Sequence, residues 1–281
     1  MSGEGEQRTY KVGGVTVTAS EAAVAAVGDQ VNRMIGEAFG RPRKRAARGS
    51  DRLSADRIVD AAIEQMRVHG YDAVTMRSIA KELGTGPASL YAHVANRAEL
   101  DQLVVGRVCA LWEIPDPDPE RWDVQLKEAL TALLGLYRAH PGVARCTMGM
   151  IPVEPGLLAV TERLVALLKA GDVPDQYCAW FVDVASLYVG SVAVEEDIWI
   201  ERHRGQEAGE TPVEHVEEDA VVGEVRRIFA SLPPTHFPLL SSMAETMTTG
   251  SGEERFAFGV DLLVSGLKAM SAAARGGPAA R

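Results

Sequence analysis

The stretch that decides the fold is TMRSIAKELGTGPASLYAHVANRAEL, from Thr75 to Leu100. It divides into a short helix, a glycine-containing turn, a second short helix and the start of a third. Leu83 is the last apolar residue of the first helix, and Gly84 after it suits the left-handed position that closes a helix. Pro87 opens the second helix, where its missing N–H costs nothing. Only Thr85 and Gly86 remain between them, which is the tight connection of a helix-turn-helix. The second helix, Pro87 to Val94, is too short to exist for its packing alone. Leu90 and Val94, four apart, face inward, while Ser89, Tyr91, His93 and then Arg97 form a polar outward surface.

Upstream, Ser54 caps a helix that runs to His69 and is closed by Gly70. Ile58, Ala62 and Met66 repeat every four residues, with Val59 and Ile63 beside them. Tyr71 and Val74 close the corner, Thr75 caps the next helix, and Arg77 points from its first turn. Downstream, Asn96 with Glu99 three residues on makes a capping box for a fourth helix, along which Leu100, Leu103, Val104 and Leu111 line one side. That helix is expected to end at Ile114, because PDPDP at 115–119 cannot continue it. From Glu120 the pattern is helical throughout, over 120–140, 156–170, 175–203, 212–232 and 252–274, with no alternating strand. The expectation is an all-α fold in which a three-helix DNA-binding domain (51–114) is joined by its fourth helix to a larger helical domain (115–281), behind an N-terminal extension (1–50).

These residues carry a resemblance. The run LYAHVANRAEL, with the preceding LSADRIVDAAIEQMRVHGYDAVTMRSIAKELG, closely resembles the DNA-binding part of the tetracycline-repressor (TetR) family of transcription regulators. The match runs from about Leu53 to Trp112, and beyond it only helical pattern and the run HPGVA continue. It implies that Arg77 reaches the major groove, where an arginine can hold guanine with two bonds. It implies too that Thr75, Thr85, Ser89, Tyr91, His93 and Arg97 touch DNA, with Tyr91 and Arg97 on phosphates and Ser89 and His93 nearer the bases. The tetracycline repressor itself has a bulky aromatic where this chain has Ala92, and a glutamine-proline pair where it has Pro87-Ala88. The operator sequence must therefore differ.

A formal net charge of −10 is unexpected for a DNA binder, but charge belongs to faces rather than whole chains. Six basic residues, among them Arg43, Lys44 and Arg45, crowd positions 41–52 against the single acid Asp51. Eleven acids against two arginines lie between Glu195 and Glu224. One end thus meets a polyanion and the other does not. The segment RPRKRAARGSDR has no apolar periodicity and reads as an arm that contacts phosphates or the minor groove. Before it, Thr9–Val12 and Val15–Val17 around Gly13-Gly14 read as a small hairpin. Val24, Val27, Val31, Met34 and Ala38 follow at helical spacing behind Ser20.

With 46% hydrophobic and 24% charged residues the chain has material for ample core. Its three cysteines stand far apart, as reduced thiols in a cytoplasmic protein do. No leader pattern opens it, and its most apolar run, 178–194, is short for a membrane span. Neither nucleotide-loop, serine-elbow, zinc-helix nor dinucleotide motifs occur, so no enzyme, metal or cofactor is expected. In the second half Trp112, Met148, Met150, Trp180, Tyr188 and Trp199 form a pool of aromatic and soft residues suited to a hydrophobic or aromatic effector. Ala185, Ser186, Gly190, Ser191 and Ala193 on one helix, with Gly259 and Gly266 on the last, would let helices approach closely in a four-helix homodimer interface. The reading is a ligand-responsive repressor of double-stranded operator DNA. A ligand-independent DNA-binding protein or activator is the alternative, with a helical enzyme further off.

Overall fold

The computed structural model describes residues 7–12, 15–20, 53–204 and 218–276. At the N-terminus strands β1 (Gln7–Val12) and β2 (Val15–Ser20) pair antiparallel with Val12 opposite Val15, so the expected hairpin is present. The helix expected after Ser20 and the arm with Arg43, Lys44 and Arg45 lie outside the described residues. The rest of the described chain is helical.

Helix α1 (Ala55–His69) begins where the Ser54 hydroxyl accepts from the Arg57 amide and ends at Gly70. It buries Ile58, Val59, Ala62 and Met66 along one stripe. Burial of each such large side chain contributes about 1.5–3 kcal/mol. A single 3-10 turn, Tyr71–Ala73, leads to α2 (Met76–Glu82), whose capping box pairs Thr75 with Ser78. The amide of Thr85 donates to the Ala80 carbonyl at 2.9 Å and that of Gly84 to Lys81 at 3.2 Å, with Gly84 at φ +64. This pair of bonds is a Schellman motif, in which a left-handed residue satisfies the last carbonyls of a helix.

Helix α3 covers only Pro87–Leu90 and continues as a turn in which the His93 and Val94 amides both donate to the Leu90 carbonyl. It is shorter than the expected Pro87–Val94 because Asn96 must already be extended, at φ −163, to cap α4 (Arg97–Cys109). The Asn96 side chain accepts from the Glu99 amide, and Glu99 reaches back to the amide of Ala95. Helix α4 also ends before the expected Ile114. Trp112 turns inward there and donates its indole N–H to the Ala129 carbonyl at 3.0 Å, which draws the chain out of helical register.

The larger half contains α5 (Trp122–Ala139), α6 (Val143–Cys146), α7 (Pro155–Ala170), α8 (Asp175–Arg204), α9 (Glu218–Ser231), α10 (Pro238–Ser242), α11 (Ala244–Met247) and α12 (Gly252–Gly276). Helices α5, α7 and α8 pack on one another, and α12 lies against α5 and α8. Ion pairs Lys127–Asp261 and Lys268–Asp123, both 2.5 Å, and the two-bond pair Arg138–Glu196 lace these helices at the surface. The apolar core is continuous from Ile58 to Leu267, so the helix-turn-helix does not stand on a separate core.

Two stretches, 175–202 and 252–275, are long and apolar enough by length and composition to cross a membrane. The length argument drawn from residues 178–194 therefore does not hold for the whole helix. The inner faces of both, including Phe181, Val189, Val260 and Val264, belong to the helical core. Their outer faces expose Trp180, Val184 and Leu187 on α8 and Phe258 and Leu262 on α12. These fall at three- and four-residue steps, as a surface that meets another helix does. The small residues divide differently from the expectation. Ala185, Gly190 and Ala193 are buried within the subunit, and a Cβ on Gly259 would fall 2.0 Å from the Tyr188 hydroxyl. Ser186, Ser191 and Gly266 remain outward, and nothing lies within 4 Å of a Cβ placed on Gly266.

Candidate DNA-binding surface and effector site

The outward surface is built from the inside. Leu90 and Val94, 0% and 1% exposed, anchor the recognition helix in the core, so the residues between and beside them must point away. Arg77, Ser89, Tyr91 and His93 are all exposed there, as is Thr75, while Thr85 in the turn is half-buried. Gln65, a buried polar residue of α1, steadies α2 from behind. Its amide donates to Glu82 at 2.5 Å, and its carbonyl accepts from the Ser78 hydroxyl at 2.7 Å. The sequence pattern offered no sign of this role, since Gln65 reads as an ordinary helix former.

Arg97, expected to contact a phosphate, makes three contacts within the subunit. Its Nε bonds Asp101 at 2.7 Å, another nitrogen donates to the Val74 carbonyl, and the guanidinium lies 4.4 Å from the Tyr71 ring centre. It is engaged inside the subunit, tying the entrance of α2 to the entrance of α4. An arginine one residue past an N-cap looks exposed in a sequence; only the corner at Tyr71 to Val74 reveals what covers it.

The six residues expected to hold an effector do not converge. Trp112 is buried with its N–H satisfied. Tyr188 stacks on Phe256 at 5.6 Å, its hydroxyl 3.3 Å from the Phe256 carbonyl. Trp180 and Trp199 are both exposed on α8, and nineteen residues at 1.5 Å each put them roughly 28 Å apart. Met148 is exposed with its methyl end at Gly190, and Met150 is half-buried against the core. A narrow, wholly apolar crevice, too small as it stands to hold a water molecule, runs between α5, α7 and α8, lined by Leu126, Leu130, Leu164, Leu168, Phe181 and their neighbours. These leucines lie at core spacing, so nothing in the sequence separated them from packing residues.

Burial pushes the Cys109 thiol up to about 12 and moves Cys146 and Tyr137 in the same direction, so all three stay protonated near neutral pH. A thiol held neutral is a poor nucleophile and a poor metal ligand. Among the described residues no group of three His, Cys, Asp or Glu side chains is arranged to hold a metal ion.

Comparison with known proteins places this geometry. The family model for the tetracyclin repressor-like C-terminal domain matches residues 114–271, more than half of the chain. That of the bacterial regulatory proteins, tetR family, matches 58–101. The HTH-type transcriptional repressor DrrR1 of Streptomyces coeruleorubidus is 28% identical over 274 residues, covering 97% of either chain. Its match therefore takes in the N-terminal extension as well. Apo ActR from Streptomyces coelicolor superposes with a TM-score of 0.68 at 33% identity, over 79% of this chain and 98% of its own. ActR in complex with actinorhodin gives 0.67 at 34% identity, over 78% and 99%. ActR is thus matched almost end to end while about a fifth of this chain lies outside it. The chain belongs to the tetracycline-repressor family of bacterial transcription regulators.

Proposed function

We propose that this chain is a repressor that occupies an operator as a homodimer and leaves it when a hydrophobic or aromatic molecule enters the crevice between α5, α7 and α8. The observation that carries the reading is the recognition surface, where Arg77 on α2 and Ser89, Tyr91 and His93 beyond the Schellman turn are all exposed. Arg77 reads a guanine edge, Thr75, Thr85 and Tyr91 position the protein on phosphates, and Ser89 and His93 lie near base edges. The basic arm, with Arg43, Lys44 and Arg45, adds attraction that does not depend on sequence. The DNA-binding part is taken as 51–114 and the effector and dimer part as 115–281, acting in the cytoplasm without a catalytic step.

The exposed faces of α8 and α12 supply the dimer contact, and two recognition helices about 34 Å apart then meet successive major grooves. An apolar effector is favoured because every residue lining the crevice is apolar. ActR, solved with actinorhodin bound, supports a small-molecule effector in this fold. The test measures operator affinity with and without a panel of apolar aromatic compounds, in the wild type and in Leu164→Trp, which fills the crevice. Weakened DNA binding by a compound, lost in the filled variant, supports the reading. No response to any compound, or the same response in both proteins, contradicts it.

A further inference from the structure

Besides the packing of α4 on α6 and α7, the recognition unit touches the regulatory helices at the corner between α1 and α2, whose parts come from four places in the chain. Tyr71 sits in the 3-10 turn. Arg97 of α4 lies over its ring, 4.4 Å from the centre, and Arg145 of α6 stands 5.7 Å from it. Each guanidinium has its own carboxylates, so the two cations do not oppose each other across the ring. Arg97 bonds Asp101, which also accepts the Tyr71 hydroxyl at 3.2 Å. Arg145 lies 3.2 Å from Asp72 of the corner and 3.4 Å from Glu201 of α8.

Two glycines make the approach possible. Gly70, at φ +81, would carry a Cβ only 2.6 Å from a Glu201 oxygen. Gly142, at φ +86, would carry one 3.2 Å from the Met66 side chain and 3.5 Å from that of Tyr71. The Gly142 amide also donates to the buried Asp197 of α8 at 2.8 Å, which fixes the start of α6 to that helix. A chain of contacts therefore runs from α8 through α6 to Tyr71, and through Arg97 to both the entrance of α2 and that of α4.

We propose that Tyr71, with Arg97 and Arg145 both over its ring, is a joint through which α6 and α8 hold the recognition helix at one angle to the rest of the subunit. In this joint Arg97 and Arg145 act as positioning residues, through the contacts that each makes within the subunit. A planar guanidinium over an aromatic face has a preferred stacking geometry that an ammonium lacks, so the joint fixes an orientation as well as a contact. The inference goes beyond the effector reading and does not depend on it.

The test places spin labels on the full chain at Lys81→Cys in α2 and Glu162→Cys in α7, both exposed positions, with labelled chains diluted into unlabelled ones. The native thiols are buried and should be spared by the label. The wild type should give one narrow distance. Tyr71→Leu and Arg145→Gln should broaden it and weaken DNA binding roughly tenfold, the scale of a typical coupling between sites. Tyr71→Phe, which keeps the ring and loses only the hydroxyl, should retain the narrow distance and bind within about twofold of wild type. Arg145→Gln keeps the test open should Tyr71→Leu fail to fold. A narrow, unshifted distance in Arg145→Gln overturns the proposal, as does a Phe variant as damaged as the Leu one.

Discussion

Between Thr75 and Asn96 the structural instructions are local: a threonine cap, a left-handed glycine, a proline at a helix start and an asparagine cap lie within 22 residues. Elsewhere the groups that act together are far apart. The crevice joins Leu126 to Ala185, and the joint links Tyr71 to Glu201. A surface that reads DNA can be assembled from short-range signals because it needs only a rigid outward face. A site that senses a molecule must be enclosed, and enclosure takes side chains from several helices. The first kind of site is visible along a chain; the second exists only after folding.

Two leucines sharpen that contrast most strongly. Leu90 under the recognition helix and Leu168 in the crevice wall are both 0% exposed. Replacing either by alanine should cost about 2–5 kcal/mol of stability, read from denaturant unfolding. Leu90→Ala should also abolish measurable operator binding. Leu168→Ala should keep it, and should bind small apolar molecules more tightly because the crevice is enlarged. Equal loss of DNA binding in both would erase the distinction between the two regions.

Arg77→Ala comes next. It should cost about 1–3 kcal/mol on the specific site and relax the preference at one base position of each half-site, measured by binding-site selection. A smaller effect is expected from removing residues 1–50: the slope of log affinity against log salt should fall by about one for each phosphate that the arm neutralises. An unchanged slope would remove the arm from the interface.

The smallest effect belongs to Asp197. Burial holds its carboxyl above the usual range, while the Gly142 amide pulls it back. Its folded value exceeds its unfolded one, so its contribution to stability is fully present below the unfolded value and is lost as pH rises through the folded one. Asp197→Asn removes that dependence. Its stability, relative to the wild type, should therefore improve as pH rises from the ordinary carboxylate range toward neutrality, with unfolding midpoints at several pH values as the measurement.

How much was legible follows from the same contrast. Caps at Ser54, Thr75 and Asn96 and the closing glycines Gly70 and Gly84 were readable because each acts within a few residues. The all-helical plan and the hairpin were readable from period. The contacts of Arg97 inside the subunit were only partly legible: Asp101 lies four residues on, but Val74 and Tyr71 lie more than twenty residues away. The aromatic pool of Trp180 and Trp199 misled for a geometric reason: composition brings together residues that a 30-residue helix holds apart. The helix-approach residues of α8 were half right, since small side chains serve packing within a subunit as readily as between two. Gln65 and Asp197 carried no signal, because a buried polar residue in a helix looks like an exposed one until its partners are known.

Whether paired recognition helices read a symmetric operator is decided by selecting binding sites for the full chain from a random pool of DNA duplexes. A dimer should select an inverted repeat whose half-site centres lie about 10 base pairs apart, or a multiple of that. Leu187→Glu together with Leu262→Glu, on the exposed faces of α8 and α12, should yield no such repeat. Enrichment of a single asymmetric site, or an inverted repeat that survives those two substitutions, would contradict paired reading.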